Sequence, residues 1–220
     1  MKDTAMKLYV YDHCPFCVRS RMIFGLKDVE CEIIALPNDD EETPTRLIGK
    51  KMLPVLVTES NEAIGESLDI VKYIDENYGA SVLTVADDPA IEAWMEEATK
   101  VIYPLAIPRW ASADFEEFRQ DAARKYFVSK KEAVFGPFPR LLEKTETMVT
   151  EINAKLEVLE VLLSQQEKET GHFSLTDIRL FPLLRSLSIV KDIKWPLMVD
   201  AWRKEMAVKS QVNLSDDIAI

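Results

Sequence analysis

The first 79 residues alternate short apolar runs with segments of helical period, and this alternation limits the possible folds more than any other feature of the chain. Apolar or aromatic runs of strand length lie at residues 6–11, 31–36, 52–58 and, as a short edge strand, 63–65. Segments with apolar residues at helical spacing lie at residues 14–27, about 45–49 and 66–78. The pattern predicts a small α/β domain with the order β-α-β-α-β-β-α.

That order is typical of thioredoxin-like domains, and the character of the chain changes after it. Beyond a polar stretch every periodic segment is helical. Helices are predicted at residues 89–103, about 114–128, 140–167, 175–190 and 196–210, and an irregular segment at 130–139. The predicted organisation is a thioredoxin-like α/β domain at residues 1–79, a linker at 80–88 and an all-α domain at 89–220.

Charge and composition exclude several classes of protein. The net charge is −11 at pH 7, whereas nucleic-acid-binding surfaces concentrate Lys and Arg. No run approaches the roughly 18 apolar residues of a membrane span, and residues 1–12 lack a run of signal-peptide length. Three cysteines are an odd number and a poor basis for a disulfide framework. We therefore expect a cytoplasmic protein that binds neither nucleic acid nor membrane, and we expect it to be a monomer.

Cys14 and Cys17 form a C-x-x-C motif between a predicted strand and a predicted helix. This context indicates a redox pair. Pro15 suits the first helical position, so Cys14 falls at the helix cap, where unpaired N–H groups and the helix dipole stabilise a thiolate. The motif therefore predicts Cys14 as the catalytic nucleophile and Cys17, one turn into the helix, as the resolving thiol.

The remaining cysteine and the histidines could instead point to a metal site. Half of a structural zinc site would need two more ligands, and the chain offers only Cys31, His13 and His172 without a second paired motif, so no metal is expected. Cys31 lies in an apolar strand pattern and is predicted to be a buried, inert thiol. His13 is either a group that tunes Cys14 or a bystander.

Two further segments have both a structural and a functional interpretation. Pro54 opens the third predicted strand; it is either a trans proline at a strand edge or a cis proline that turns the backbone of Leu53 toward a peptide-like substrate. Glu66 and Ser67 begin the next helix, either as plain capping residues or as a clamp for the amino-acid end of a γ-glutamyl ligand.

Taken together, the segments at residues 11–17, 53–55 and 66–70 resemble the glutathione transferase superfamily and, more closely, the bacterial glutaredoxin 2 type, which is built on a transferase-like scaffold. The resemblance extends over nearly the whole chain. It implies a glutathione transferase-like architecture, a glutathione-dependent thiol-disulfide oxidoreductase and a cis proline before the third strand. It also implies the redox pair Cys14 and Cys17 and a glutathione site of Leu53, Pro54, Val55, Glu66 and Ser67.

The glycine carboxylate of glutathione needs a cation, and Arg46, Lys50 and Lys51 precede the third strand. We favour Lys51 because it is nearest to that strand. The expected partners are glutathione, as substrate and reductant, and proteins with glutathionylated or disulfide-bonded cysteines. The rival functions are a true glutathione transferase or dehydroascorbate reductase, against which Cys17 counts, and a non-enzymatic interaction module.

A capping arrangement is predicted in the helical part. Ser174 stands at the cap, Asp177 three positions on, and Phe173 is placed to pack on Ile178. We assign this arrangement to stability.

Overall fold

The computed structural model describes residues 5–166 and 171–220, and the chain divides into two compact units. The first unit contains the described residues up to Val82, together with Asp114–Phe127 and Ser210–Val212. The second unit contains the described residues of Leu83–Ala113, Val128–Lys209 and Asn213–Ile220. The division of the sequence into residues 1–79, 80–88 and 89–220 stays a prediction. The two compact units are a different kind of division, because each contains segments that lie far apart in the sequence.

The first unit has the predicted order of elements. They are β1 (Lys7–Val10), α1 (Pro15–Leu26), β2 (Glu32–Ala35), α2 (Glu42–Ile48), β3 (Val55–Val57), β4 (Ala63–Ile64) and α3 (Ser67–Asn77). The described residues form one sheet of four strands in the order β2-β1-β3-β4, with β1 parallel to β2 and antiparallel to β3. β1 alternates exposed and buried positions, and Leu8 and Val10 face the core.

Local chemistry accounts for the start of α1 and the end of α2. Pro15 occupies the first position of α1, where its missing N–H group leaves no helical hydrogen bond unmade. Gly49 ends α2 in the left-handed conformation with φ of 77°. α1 packs against α3, whose Ile70, Val71 and Ile74 are fully buried.

Beyond α3 the described residues are mostly helical. The helices are α4 (Pro89–Ser112), α5 (Asp121–Phe135), α6 (Phe138–Glu143), α7 (Thr145–Ser164), α8 (Leu175–Leu187) and α9 (Leu197–Ser210), with 3-10 turns at Glu116–Phe118 and Asp216–Ile218. The predicted helix at 140–167 is divided between α6 and α7, and its last residue, Glu167, lies outside the described residues.

Several helix boundaries predicted from the sequence are wrong, and the helix expected at about 114–128, for example, begins at Asp121. α4 does not end at residue 103 but continues through Pro104 and Pro108, because nearly every residue from Val101 to Ala111 is buried and tertiary packing outweighs the loss of two helical donors. The segment predicted as irregular at 130–139 is helical as far as Phe135, since α5 runs on to that residue.

The capping arrangement predicted in the helical part is confirmed. The Asp177 backbone N–H donates to Ser174 Oγ at 3.1 Å, and the Ser174 backbone N–H donates to Asp177 Oδ2 at 2.8 Å. Both orphan donors at the start of α8 are thereby satisfied.

Candidate active site

Cys14 lies at the junction of β1 and α1. A turn brings the chain from the strand to the helix, and its closing hydrogen bond runs from the Cys14 N–H to Tyr11 O at 3.2 Å. Cys14 has an extended backbone (φ −73°, ψ 120°) and is the N-cap of α1. Cys14 is half-buried at the terminus of this helix.

The thiols of Cys14 and Cys17 have opposite acidities. The pKa of Cys14 is lowered from 9.0 to about 6, chiefly by the hydrogen bond from Cys17, against burial, and further by the charge of His13 and the N–H groups of Cys17 and Phe16. Burial, followed by the hydrogen bond with Cys14, raises the pKa of Cys17 well above its ordinary value. Cys17 is fully buried, and its sulfur accepts the Tyr11 N–H at 3.3 Å. At neutral pH the pair therefore holds one accessible thiolate and one shielded thiol.

Cys14, Cys17 and Cys31 are all free thiols, and Cys31 is less buried than the sequence predicts. Cys31 precedes β2 and is partly exposed, so the expectation of a buried thiol is wrong. The reason is that β2 is an edge strand with both of its first two residues exposed. The pKa of Cys31 is raised to about 11, chiefly by desolvation, so this thiol stays protonated at neutral pH.

The Leu53–Pro54 peptide bond is cis. Leu53, Pro54 and Val55 are all buried, and Val55 is paired with Tyr9 across the antiparallel β1–β3 ladder. Antiparallel pairing places the residues before β3 beside the residues that follow β1. The structure therefore brings Leu53 and Pro54 to the same end of the sheet as the turn that carries Cys14.

Glu66 and Ser67 lie at the start of α3. Glu66 has a positive φ of 60°, which costs a residue with a side chain about 1–3 kcal/mol. Within the described part of the chain the Glu66 side chain makes no capping hydrogen bond; it pairs instead with Lys50 at 3.1 Å on the surface. Ser67 is 6% exposed and its carbonyl accepts from Ser20 Oγ at 3.4 Å. Plain capping by the Glu66 side chain therefore does not explain this pair.

Lys51 has contacts that the sequence did not predict. Its Nζ donates to Asn38 O at 2.6 Å and lies 3.8 Å from the centre of the Tyr126 ring. Tyr126 belongs to the segment Asp114–Phe127, which the first unit includes. The ammonium is thus held between the loop that follows β2 and this segment.

Glu117, from the same segment, is the polar residue that the sequence did not reveal. Its Oε1 accepts the backbone N–H of His13 at 3.0 Å and lies 2.6 Å from His13 Nδ1. The two residues are separated by 104 positions, so no local pattern could have predicted the pair. The residue that precedes Cys14 is therefore bound to a buried carboxylate.

Neither a metal-binding cluster nor a membrane-spanning helix is found among the described residues. Within residues 5–166 and 171–220 there is no group of three or more His, Cys, Asp or Glu side chains that could hold a metal ion. In the same part of the chain no helix is long and apolar enough to cross a membrane.

Comparison with known proteins agrees with this geometry. Residues 90–219 match the family model "Glutaredoxin 2, C terminal domain", and residues 8–82 match "Glutathione S-transferase, N-terminal domain". Glutaredoxin 2 of Escherichia coli K12 is 45% identical over 215 residues, which cover 98% of this chain and 100% of the relative. The chain belongs to the glutaredoxin 2 family. It is accordingly a glutaredoxin, a glutathione-dependent thiol-disulfide oxidoreductase.

Solved structures confirm the architecture of this glutaredoxin 2 family member. Glutaredoxin 2 from Salmonella typhimurium, solved in complex with glutathione, matches with a TM-score of 0.94 and 46% identity over 98% of this chain and 99% of that one. A glutathione S-transferase of Ceriporiopsis subvermispora, 16% identical over 96% of this chain and 98% of that one, matches with a TM-score of 0.69 and shows the fold alone. The predicted thioredoxin-like and all-helical, glutathione transferase-like fold is therefore confirmed.

Proposed function

We propose that Cys14 is the nucleophile and Cys17 the resolving thiol of this glutaredoxin. The observation that carries the proposal is the contrast between the two thiols: Cys14 is accessible with a pKa of about 6, and Cys17 is fully buried with a raised pKa. The thiolate is the attacking species in thiol-disulfide exchange. At pH 7 a thiol with a pKa of about 6 is about nine-tenths thiolate.

The monothiol route transfers one glutathionyl group at a time. Cys14 thiolate attacks the glutathione sulfur of a protein-glutathione mixed disulfide, a new disulfide forms on Cys14, and the protein thiolate leaves and takes a proton. The thiolate of a second glutathione then attacks the glutathionyl sulfur on Cys14. Glutathione disulfide leaves and the Cys14 thiolate is regenerated, so one mixed disulfide and one glutathione give one protein thiol and one glutathione disulfide.

The dithiol route uses both cysteines on a protein disulfide. Cys14 attacks one sulfur and forms a mixed disulfide with the protein substrate. Cys17, after loss of its proton, attacks Cys14, and the substrate leaves with both cysteines reduced. Two glutathione molecules then reduce the Cys14–Cys17 disulfide.

The proposed glutathione site is Leu53, Pro54, Val55, Glu66, Ser67 and Lys51. The glutathione in the related Salmonella structure supports glutathione as the ligand of this chain too. In the proposal the backbone of Leu53 pairs with the cysteinyl part of the ligand as an added strand. The α3 terminus and Ser67 take the γ-glutamyl carboxylate, and Glu66 takes its ammonium. The strained backbone of Glu66 supports this role, since such strain is concentrated at binding sites.

Lys51 is the proposed partner of the glycine carboxylate. An ammonium group has three donors, so the bond from Lys51 to Asn38 O does not by itself exclude a carboxylate. Further parts of the proposal are protein substrates with glutathionylated or disulfide-bonded cysteines, a cytoplasmic location, a monomeric state and the domain division at 1–79, 80–88 and 89–220. The odd number of free thiols supports a reducing compartment.

The test compares Cys14→Ser, Cys17→Ser and, as a control, Cys31→Ser. Cys14→Ser should abolish all thiol exchange, because a hydroxyl does not ionise near neutral pH. Cys17→Ser should keep a substantial part of the deglutathionylation rate but accumulate a mixed disulfide on Cys14 with a disulfide-containing protein. Cys31→Ser should behave like the unmodified protein. Mass spectrometry that located the adduct of the unmodified protein on Cys17 or Cys31 would refute the assignment.

A further inference from the structure

The turn that presents Cys14 is held at both of its central residues. Asp12 and His13 lie between Tyr11 and Cys14, whose backbone groups close the turn. The Asp12 carboxylate pairs with Arg21 of α1. His13 is bound by Glu117, which the first unit brings in from Asp114–Phe127. The position of the nucleophile therefore depends on a residue about a hundred positions away.

One oxygen of Glu117 binds two groups of His13. Oε1 accepts the backbone N–H at 3.0 Å and faces ring Nδ1 at 2.6 Å. Because the opposing atom is a carboxylate oxygen, Nδ1 carries a proton and donates, and the short distance is typical of a charge-assisted bond. Glu117 is itself held by its backbone, whose carbonyl accepts the Asn38 N–H at 3.0 Å.

The His13–Glu117 pair lies in a dry, aromatic environment. The His13 ring stacks on Phe118 at 5.1 Å and on Tyr11 at 5.9 Å, and meets the edge of Phe127 at 5.0 Å. Side-chain exposure is 6% for His13 and 0% for Glu117. Within the described residues Glu117 Oε2 is buried without a hydrogen-bond partner. Burial raises the pKa of Glu117, but the hydrogen bonds and charge of His13 outweigh it and the pKa is lowered.

Glu117 has a structural role, because removing one partner of a buried ion pair leaves the other without compensation, and its lowered pKa means that the folded protein favours the carboxylate. A role in reactivity is separate from this and is measured on Cys14. We propose that Glu117 is a positioning residue for Cys14 that acts through His13: its carboxylate holds the His13 ring next to the nucleophile and anchors the turn. This inference rests on the proposed role of Cys14.

The electrostatics of the two thiols agree in sign with this arrangement. After the hydrogen bond from Cys17 and against burial, the charge of His13 lowers the pKa of Cys14. The other titratable groups that face the thiols are Tyr11, whose pKa burial raises so that it stays protonated, and Glu117, which raises the pKa of Cys17. The negative charge of Glu117 by itself disfavours a thiolate. Its bond to His13 favours one, because the charge of His13 lowers the pKa of Cys14.

The test uses Glu117→Gln, which keeps the shape and an acceptor oxygen but removes the charge. The rate of alkylation of the reduced protein by iodoacetamide is measured against pH, with the adduct located by mass spectrometry. If the pKa of Cys14 rises by about one unit, alkylation at pH 6 falls about fivefold. The melting temperature should fall, because His13 loses its charged partner, so alkylation is measured at a temperature at which circular dichroism shows the variant to be folded. The matched control is Glu116→Gln, at the exposed neighbour that pairs with Arg119, and its pH profile should not move.

The Glu117→Gln substitution made in the His13→Gln protein separates an effect of Glu117 through His13 from a direct effect of Glu117 on Cys14. In His13→Gln the profile should already be shifted, and adding Glu117→Gln should give no further rise or a small reversal. The inference is overturned if Glu117→Gln leaves the pKa of Cys14 unchanged or lowers it. It is also overturned if Glu117→Gln raises that pKa equally with His13 and with Gln at position 13. A lower melting temperature with an unmoved profile would also overturn it. An adduct located on another cysteine would instead refute the proposed role of Cys14.

Discussion

The lowered pKa of Cys14 predicts that the reduced protein gains stability as pH rises. The folded pKa is about 6 and the ordinary value is 9.0. A group whose pKa is depressed by folding stabilises the folded state fully above its unfolded pKa, and this stabilisation is lost as pH falls through the folded pKa. The relevant window is therefore pH 6 to 9, and the perturbation is Cys14→Ser, which removes the titrating group.

The size of the effect follows from the two pKa values. Relative to pH 5, Cys14 should contribute about 1 kcal/mol at pH 7 and about 2–3 kcal/mol at pH 8. Cys17 and Cys31 both have raised pKa values, so they remain protonated throughout this range in both proteins. The difference between the unmodified protein and the variant therefore isolates Cys14.

The assay is urea denaturation of both reduced proteins at pH 5, 7 and 8, followed by far-UV circular dichroism with a phosphine reductant present. The difference in free energy of unfolding, unmodified protein minus Cys14→Ser, should grow steadily with pH. Cys31→Ser serves as the control, and its difference should not change over the same range. A Cys14→Ser difference that is flat or that shrinks between pH 5 and 8 would refute the thiolate assignment.

Two further predictions concern stability alone. Ser174→Ala should lower the free energy of unfolding by about 0.5–2 kcal/mol through loss of the α8 cap, with deglutathionylation by the folded protein unchanged; a large loss of activity at unchanged stability would mean that the cap serves function. Gly25→Ala should lower the melting temperature markedly and cost about 1–3 kcal/mol in urea denaturation, because its Cβ would lie 1.9 Å from the backbone oxygen of Ser210; an unchanged melting temperature would show that this approach is not close.

The parts of the molecule that the sequence predicted well depend on local chemistry. The order of strands and helices in the first unit follows from the change between two-residue and 3.6-residue periods. The position of Cys14 at the cap of α1 follows from Pro15, and the cap of α8 follows from Ser174 and Asp177. In each case residues within one helical turn decide the outcome.

The predictions that are wrong concern features that depend on the whole fold and not on local sequence. The sequence predicts a helix that ends at residue 103, yet the buried face of α4 continues past Pro104. Cys31 was expected to be buried because its neighbours are apolar, but strand order makes β2 an edge. Burial and strand order are properties of the assembled fold, so a single segment does not reveal them.

The segment Asp114–Phe127 shows why the candidate site was only partly predictable. It follows α4 in the sequence but belongs by compactness to the same unit as Cys14. From it Glu117 binds His13, and Tyr126 covers the ammonium of Lys51. A thioredoxin-like domain that ended at residue 79 would contain Cys14 and Cys17 but would lack the contacts made by Glu117 and Tyr126. Because the charge of His13 contributes to the lowered pKa of Cys14, and His13 is bound by Glu117, the proposed nucleophile has surroundings that include a segment the four-residue motif does not indicate.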